Sequence, residues 1–121
     1  MRHDDDAWLL DMHQAAMKAR AFVQDLSKKE FVEDERTQYA VLRCLEIIGE
    51  AGRNVSQERQ QQLGDLPWSG VRGLRNRIAH EYFNINLDIV WSIVSDELAD
   101  LIRILGAVIP PPPAEHIERD G

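Results

Sequence analysis

The chain has 121 residues, 44% of them hydrophobic and 29% charged, with a formal net charge of -7. That size suggests one domain able to bury roughly two thirds of its unfolded surface, and the acidic balance argues against broad electrostatic attraction to nucleic acid. No apolar run reaches the length of a membrane span, Met1 to Asp6 lacks the apolar core of a signal peptide, and the single Cys44 cannot make an internal disulfide, so a soluble protein of the reducing cytoplasm is expected.

Asp4, Asp5 and Asp6 offer N-cap and first-turn carboxylates to a first helix. Leu9, Met12, Ala16, Ala19, Val23 and Leu26 then recur at spacings of three and four, which is a core stripe. Trp8, Ala15 and Phe22 form a second apolar line, so this helix is expected to touch more than one neighbour, while His13 reads as solvent-exposed. Ser27 to Asp34 reads as a charged connector, with Phe31 closing over one end of the bundle.

A second helix is expected from about Asp34 to Asn54. Val41, Leu45, Ile48, Gly52 and Val55 make one stripe and Ala40, Ile47 and Ala51 another, a buried face wide enough for a core helix that also meets a second subunit. Gly49 and Gly52 cost helix propensity, and the usual return is close approach of another backbone. Cys44 lies in this apolar pattern as a buried, reduced thiol. Glu46 and Glu50, one turn apart, either orient arginines further along or form a solvated ridge.

Ser56 to Gly64 is polar and glutamine-rich, and reads as a helix end and linker. Trp68 then serves as a core anchor, with Ser69 as the N-cap of a third helix. Beyond it, Asn84 and Asn86 break the pattern and supply another N-cap. A final long helix carries Leu87, Val90, Val94, Leu98, Leu101 and Leu105 on one face and ends at Gly106. The expected architecture is an all-α antiparallel bundle of four main helices, with a possible short fifth, over residues 1–106 and no strand pattern. Residues 107–121 form a tail whose prolines, Pro110 to Pro113, favour either polyproline II or plain disorder.

The third helix holds the densest chemistry. Arg72, Arg75 and Arg77 fall within six residues of an acidic chain, followed at once by His80 and Tyr82. Such a basic cluster points to an anionic ligand, phosphate first. If the helix runs on through Tyr82, Arg75, Asn76, His80 and Tyr82 converge on one edge of it. A guanidinium can then hold a phosphate oxygen while an imidazole that titrates near neutral pH faces the same substrate.

Arg75-x4-His80-x-Tyr82, with Asn76 after the arginine, resembles the signature of the HEPN superfamily, in particular its HepT-like toxin branch. The resemblance spans roughly Ala7 to Leu105. It includes Ile47-Ile48-Gly49-Glu50-Ala51, Leu66-Pro67-Trp68, Asn84-Ile85-Asn86 and Val90-Trp91, an ordered set more specific than the Arg-x4-His alone.

The resemblance implies an endoribonuclease toxin of a type VII-like toxin-antitoxin pair, with tRNA or mRNA as substrate. Metal-free cleavage needs a base for the 2′-hydroxyl, an acid for the leaving 5′-oxygen and positive charge at the phosphorus. One chain offers one histidine in the motif. A homodimer with motif helices facing across a twofold axis offers two. By the resemblance His80 is the general acid or base and Arg75 holds the scissile phosphate. Asn76 orients the imidazole or the phosphate, and Arg72 and Arg77 bind substrate. Tyr82 resembles the hydroxyl to which a minimal nucleotidyltransferase antitoxin transfers AMP. No metal and no cofactor are expected. The competing reading is a non-catalytic helical module whose arginines bind a nucleotide or an acidic partner surface.

Overall fold

The computed structural model describes residues 4–81 and 84–109, with the backbone alone at 79–81 and 84. The proline run and the rest of the tail, together with Tyr82, lie outside the described residues. Helix α1 (Asp5–Phe22) opens on Asp4, whose carboxylate accepts a hydrogen bond from the Ala7 amide at 2.9 Å. Its stripe of Leu9, Met12, Ala16, Ala19 and Val23 is buried as the spacing requires. Of the second line, Ala15 is buried while Phe22 stays about half exposed.

Helix α3 (Glu35–Asn54), capped by Asp34 through the Thr37 amide, buries Val41, Cys44, Leu45, Ile48 and Ala51 and packs along α1. Burial pushes the Cys44 thiol above its ordinary pKa, so it stays protonated and inert at neutral pH. Between these helices the expected connector is itself a short helix, α2 (Lys28–Val32). Ser27 and Glu30 close a full capping box there, each side chain accepting from the other's backbone amide. Phe31 is fully buried, its ring 5.4 Å from that of Trp91.

The polar stretch after α3 likewise contains a helix, α4 (Gln57–Gln62), started by Ser56. Ser56 also ties α4 to α1: its amide and hydroxyl both donate to Asp5, at 2.9 and 2.6 Å. Trp68 is an anchor, as expected. It is buried and its Nε1 donates to the Leu63 carbonyl.

The third expected helix is the main difference from the sequence reading. It starts after Pro67, with Ser69 inside it rather than capping it, and breaks at Gly73 into α5 (Trp68–Arg72) and α6 (Leu74–Ile78). Then it stops. Residues from Ala79 leave the helix and pair as β1 (Ala79–Glu81) with β2 (Asn84–Ile85) in an antiparallel ribbon. The Asn86 amide donates to the Ile78 carbonyl at 2.8 Å and closes the base of that excursion. The two short strands were not foreseen, and they leave the all-α character of the bundle unchanged.

Asn86 caps α7 (Leu87–Ser92) through the Ile89 amide, as expected. A π-helical turn (Ile93–Glu97) joins α7 to α8 (Leu98–Val108). The wide turn leaves carbonyls in need of donors, and Arg20 of α1 supplies them, its Nη1 reaching the oxygens of Val94 and Ser95 at 3.1 and 2.8 Å. Gly106 does not end the last helix, which runs on to Val108. His13 of α1 is half-buried rather than exposed, because its ring lies close against α8 at Gly106.

Candidate active site

Close packing sets the position of the motif. A Cβ added at Gly52 would lie 2.5 Å from Val71 Cγ1, and one at Gly49 would lie 3.5 Å from the Val71 carbonyl oxygen. Gly52 therefore seats α5 against the core, as its cost in helix propensity suggested, whereas a Cβ at Gly49 would make only ordinary contact. Of Val71, Leu74, Ile78 and Ile85, which one continuous helix would line up as an apolar stripe, the first three are buried across the break at Gly73, whereas Ile85 lies on β2 and is exposed. The polar residues between them face outward: Arg72, Arg75, Asn76 and Arg77 are all exposed.

The three arginines have different surroundings. Arg72 Nη1 donates to Gln60 Oε1 of α4. The amide of Gln60 is itself fixed, because its Nε2 donates to the carbonyls of Gly52 and Val55 at 3.3 and 2.9 Å. Arg77 folds back over Gly70 and grips Glu97 at the end of the π turn, Nη1 to Oε1 at 2.9 Å and Nη2 to Oε2 at 2.7 Å. That two-pronged pair holds the Arg77 pKa above its ordinary value, with hydrogen bonding to Glu97 the largest cause. Among the described residues Arg75 has no carboxylate partner and no hydrogen-bonded side-chain partner. Among the described residues it is the cation of the cluster with no side-chain partner.

Glu97 was not singled out in the sequence, and no local signal marks it, since the pair joins positions 20 residues apart. Glu46 and Glu50 do not orient the motif arginines: Glu46 pairs with Arg43 on its own helix at 2.6 Å, and Glu50 is exposed. A cavity of about 50 Å³ lies beside the Arg77–Glu97 pair, lined by Ile48, Val71, Leu74 and Leu98 among others. It has room for little more than a water molecule.

The expected convergence on one helix edge is corrected by the early end of α6. His80 lies on β1, two residues past Ile78, and not one helical turn above Asn76. The motif is held instead by a short helix and the ribbon that follows it, with Arg75 on one and His80 on the other. Among the described residues no group of three or more His, Cys, Asp or Glu side chains is placed to hold a metal, and no helix is long and apolar enough to cross a membrane.

A family model described as "Ribonuclease HepT-like" matches residues 12–108 of the chain. The chain belongs to this HEPN family. Membership makes it an endoribonuclease. Three curated relatives match across nearly their whole length. The chain is 34% identical over 108 residues to "Putative RNase MJ0127" of Methanocaldococcus jannaschii, covering 89% of both chains. It is 35% identical over 97 residues to "Putative RNase MJ1380" of the same organism, covering 80% of this chain and 89% of the relative. It is 29% identical over 101 residues to "Probable ribonuclease HepT" of Thermococcus cleftensis, covering 84% and 92%. No solved structure matches the chain significantly.

Proposed function

We propose that this HepT-like ribonuclease is a metal-independent endoribonuclease toxin that cuts RNA at a site shared by two copies of the chain. The observation that carries the reading is the open guanidinium of Arg75 beside two arginines already engaged, on a helix that hands directly to His80. In this reading Arg75 takes the non-bridging oxygens of the scissile phosphate. His80 of one copy removes the 2′-hydroxyl proton, and the released alkoxide attacks the phosphorus. His80 of the other copy protonates the departing 5′-oxygen. The products are a 2′,3′-cyclic phosphate and a 5′-hydroxyl, and no water or metal enters the step. Asn76 orients the phosphate or the imidazole, and Arg72 and Arg77 draw the substrate strand in, Arg77 from within its pair with Glu97.

Tyr82 is the proposed point of control. AMP transferred to its hydroxyl by a nucleotidyltransferase antitoxin adds a negative charge and bulk two residues from His80, competing with RNA for the same cations. The test is incubation of purified protein with tRNA and a short mRNA in EDTA, comparing wild type, Arg75→Ala and His80→Ala. Each substitution should lower the cleavage rate by about 10²-fold or more. An equal mixture of wild type and His80→Ala should fall below half of the wild-type rate, because a mixed dimer holds only one of the two imidazoles that the step needs. Cleavage that survives both substitutions would refute the assignment.

A further inference from the structure

Apart from Arg72, the groove between the end of α3, α4 and α5 has no part in the chemistry described so far. It is lined by Arg53, Gln57, Gln60, Gln61, Trp68 and Arg72, with a volume of about 480 Å³. That is the scale of a site for a small organic group, roughly 300 to 1,000 Å³. Its lining contains two guanidiniums, three side-chain amides and no carboxylate. The surrounding charge agrees. Residues 49–78 hold Arg53, Arg59, Arg72, Arg75 and Arg77 against Glu50, Glu58 and Asp65, a net of +2. The remainder of the chain therefore carries -9 of the total -7. Within that segment Arg59 and Arg77 are paired to Asp6 and Glu97, which leaves Arg53, Arg72 and Arg75 without a carboxylate partner among the described residues and able to attract a polyanion.

The polar lining is also built rather than incidental. Gln60 is locked by two backbone carbonyls, so its oxygen must face Arg72 and hold that guanidinium on the groove wall. The Arg53 guanidinium lies back along α3, with Nη1 3.9 Å from the position of a Gly49 Cβ, and among the described residues it has no carboxylate partner. Gln57 and Gln61 are exposed on α4, where free amides present paired donors and acceptors of the kind that read base edges. Trp68 spends its indole N–H on Leu63 and forms an apolar floor.

We infer that this groove is a subsite for single-stranded RNA flanking the scissile bond, with Arg53 and Arg72 on phosphates and Gln57 and Gln61 on a base edge. Arg72, shared with the motif three residues before Arg75, joins the groove to the cleavage point. The inference rests on the ribonuclease reading for its ligand, and its test separates the two. Binding is measured by fluorescence anisotropy with the full-length His80→Ala protein, using a labelled 12-nucleotide single-stranded RNA and a trinucleotide, over a series of salt concentrations. Adding Arg53→Gln and Gln57→Ala should weaken the 12-mer about tenfold and lower the salt slope by about 0.7 for the lost phosphate contact. The trinucleotide should change far less. In an otherwise wild-type protein the same pair should raise KM for the 12-mer without lowering kcat. Circular dichroism confirms that both proteins are folded. Unchanged 12-mer affinity and salt slope would overturn the subsite, while cleavage by wild type in the same preparation would leave the ribonuclease standing. Loss of 12-mer binding with no cleavage by wild type would support the subsite and remove the ribonuclease instead.

Discussion

Gly52→Ala tests how the motif is held. The new methyl carbon would lie 2.5 Å from Val71 Cγ1, where ordinary van der Waals contact begins at 3.4 Å, so one side must retreat by about 1 Å. Val71 is 5% exposed and β-branched, so its χ1 is stiff and it yields reluctantly. Overpacking of this kind costs about 1 to 3 kcal/mol, against a gain of about 1 kcal/mol from replacing glycine inside a helix. The net expectation is destabilisation by up to about 2 kcal/mol. Val71→Ala changes the sign. With Cγ1 gone, the nearest remaining neighbours of the new methyl are Val71 Cβ and Met12 Cε, both at 3.7 Å. In that background Gly52→Ala should stabilise by up to about 1 kcal/mol. Urea denaturation of the four proteins measures the coupling directly. Cleavage should fall in Gly52→Ala well below its melting temperature, since Val71 lies four residues before Arg75 on the same run. Equal effects of Gly52→Ala in the two backgrounds would refute the account.

Glu97→Gln should destabilise by no more than about 1 kcal/mol, because both partners of the Arg77 pair are more than a third exposed. The loss should shrink in 1 M salt, and Arg77→Gln should add little to it in a double mutant measured by thermal melts. The Asp5 carboxylate is held below its usual pKa, first by the Ser56 hydroxyl and then by the Ser56 amide. A lowered folded-state pKa gives stability that is present above the unfolded value of about 3.9 and lost as pH falls through the lower one. Wild type should therefore exceed Asp5→Asn in stability at pH 7, with the gap closing below pH 4. A gap that persists at pH 2 would mean that charge is not its source.

Much of this fold was legible because helix periodicity and burial agree. The α1 stripe, the wide face of α3, the tight approach at Gly52, the Trp68 anchor and the Asn86 cap all followed from spacing and residue type. The break at Gly73 did not, because Val71, Leu74 and Ile78 continue the stripe through it, and a glycine inside a helix costs too little to announce a break. The end at Ile78 was hidden for a related reason: a three-residue strand has no room to display alternation. Arg20 on the π turn and Glu97 on Arg77 join residues 74 and 20 apart, and no local pattern encodes such distances. The Ser27–Glu30 capping box was written in the sequence, yet was submerged in a charged stretch that reads as connector.

The π turn has a consequence for chain length. Leu87, Val90, Val94, Leu98, Leu101 and Leu105 are spaced as a single straight stripe, but α7 packs on α2 and α6 whereas α8 packs on α1. One surplus residue in the turn swings everything after it by about 100° relative to an unbroken helix, so a single stripe serves two walls. Ile93 and Val94, adjacent in the chain, both end up inside. Removing one residue between 93 and 97 would return the turn to α geometry and leave each flank on its own wall. The same deletion inside α8 would carry Leu101 and Leu105 away from α1. The π turn is thus a place where the rod can lose a residue without rearranging the bundle.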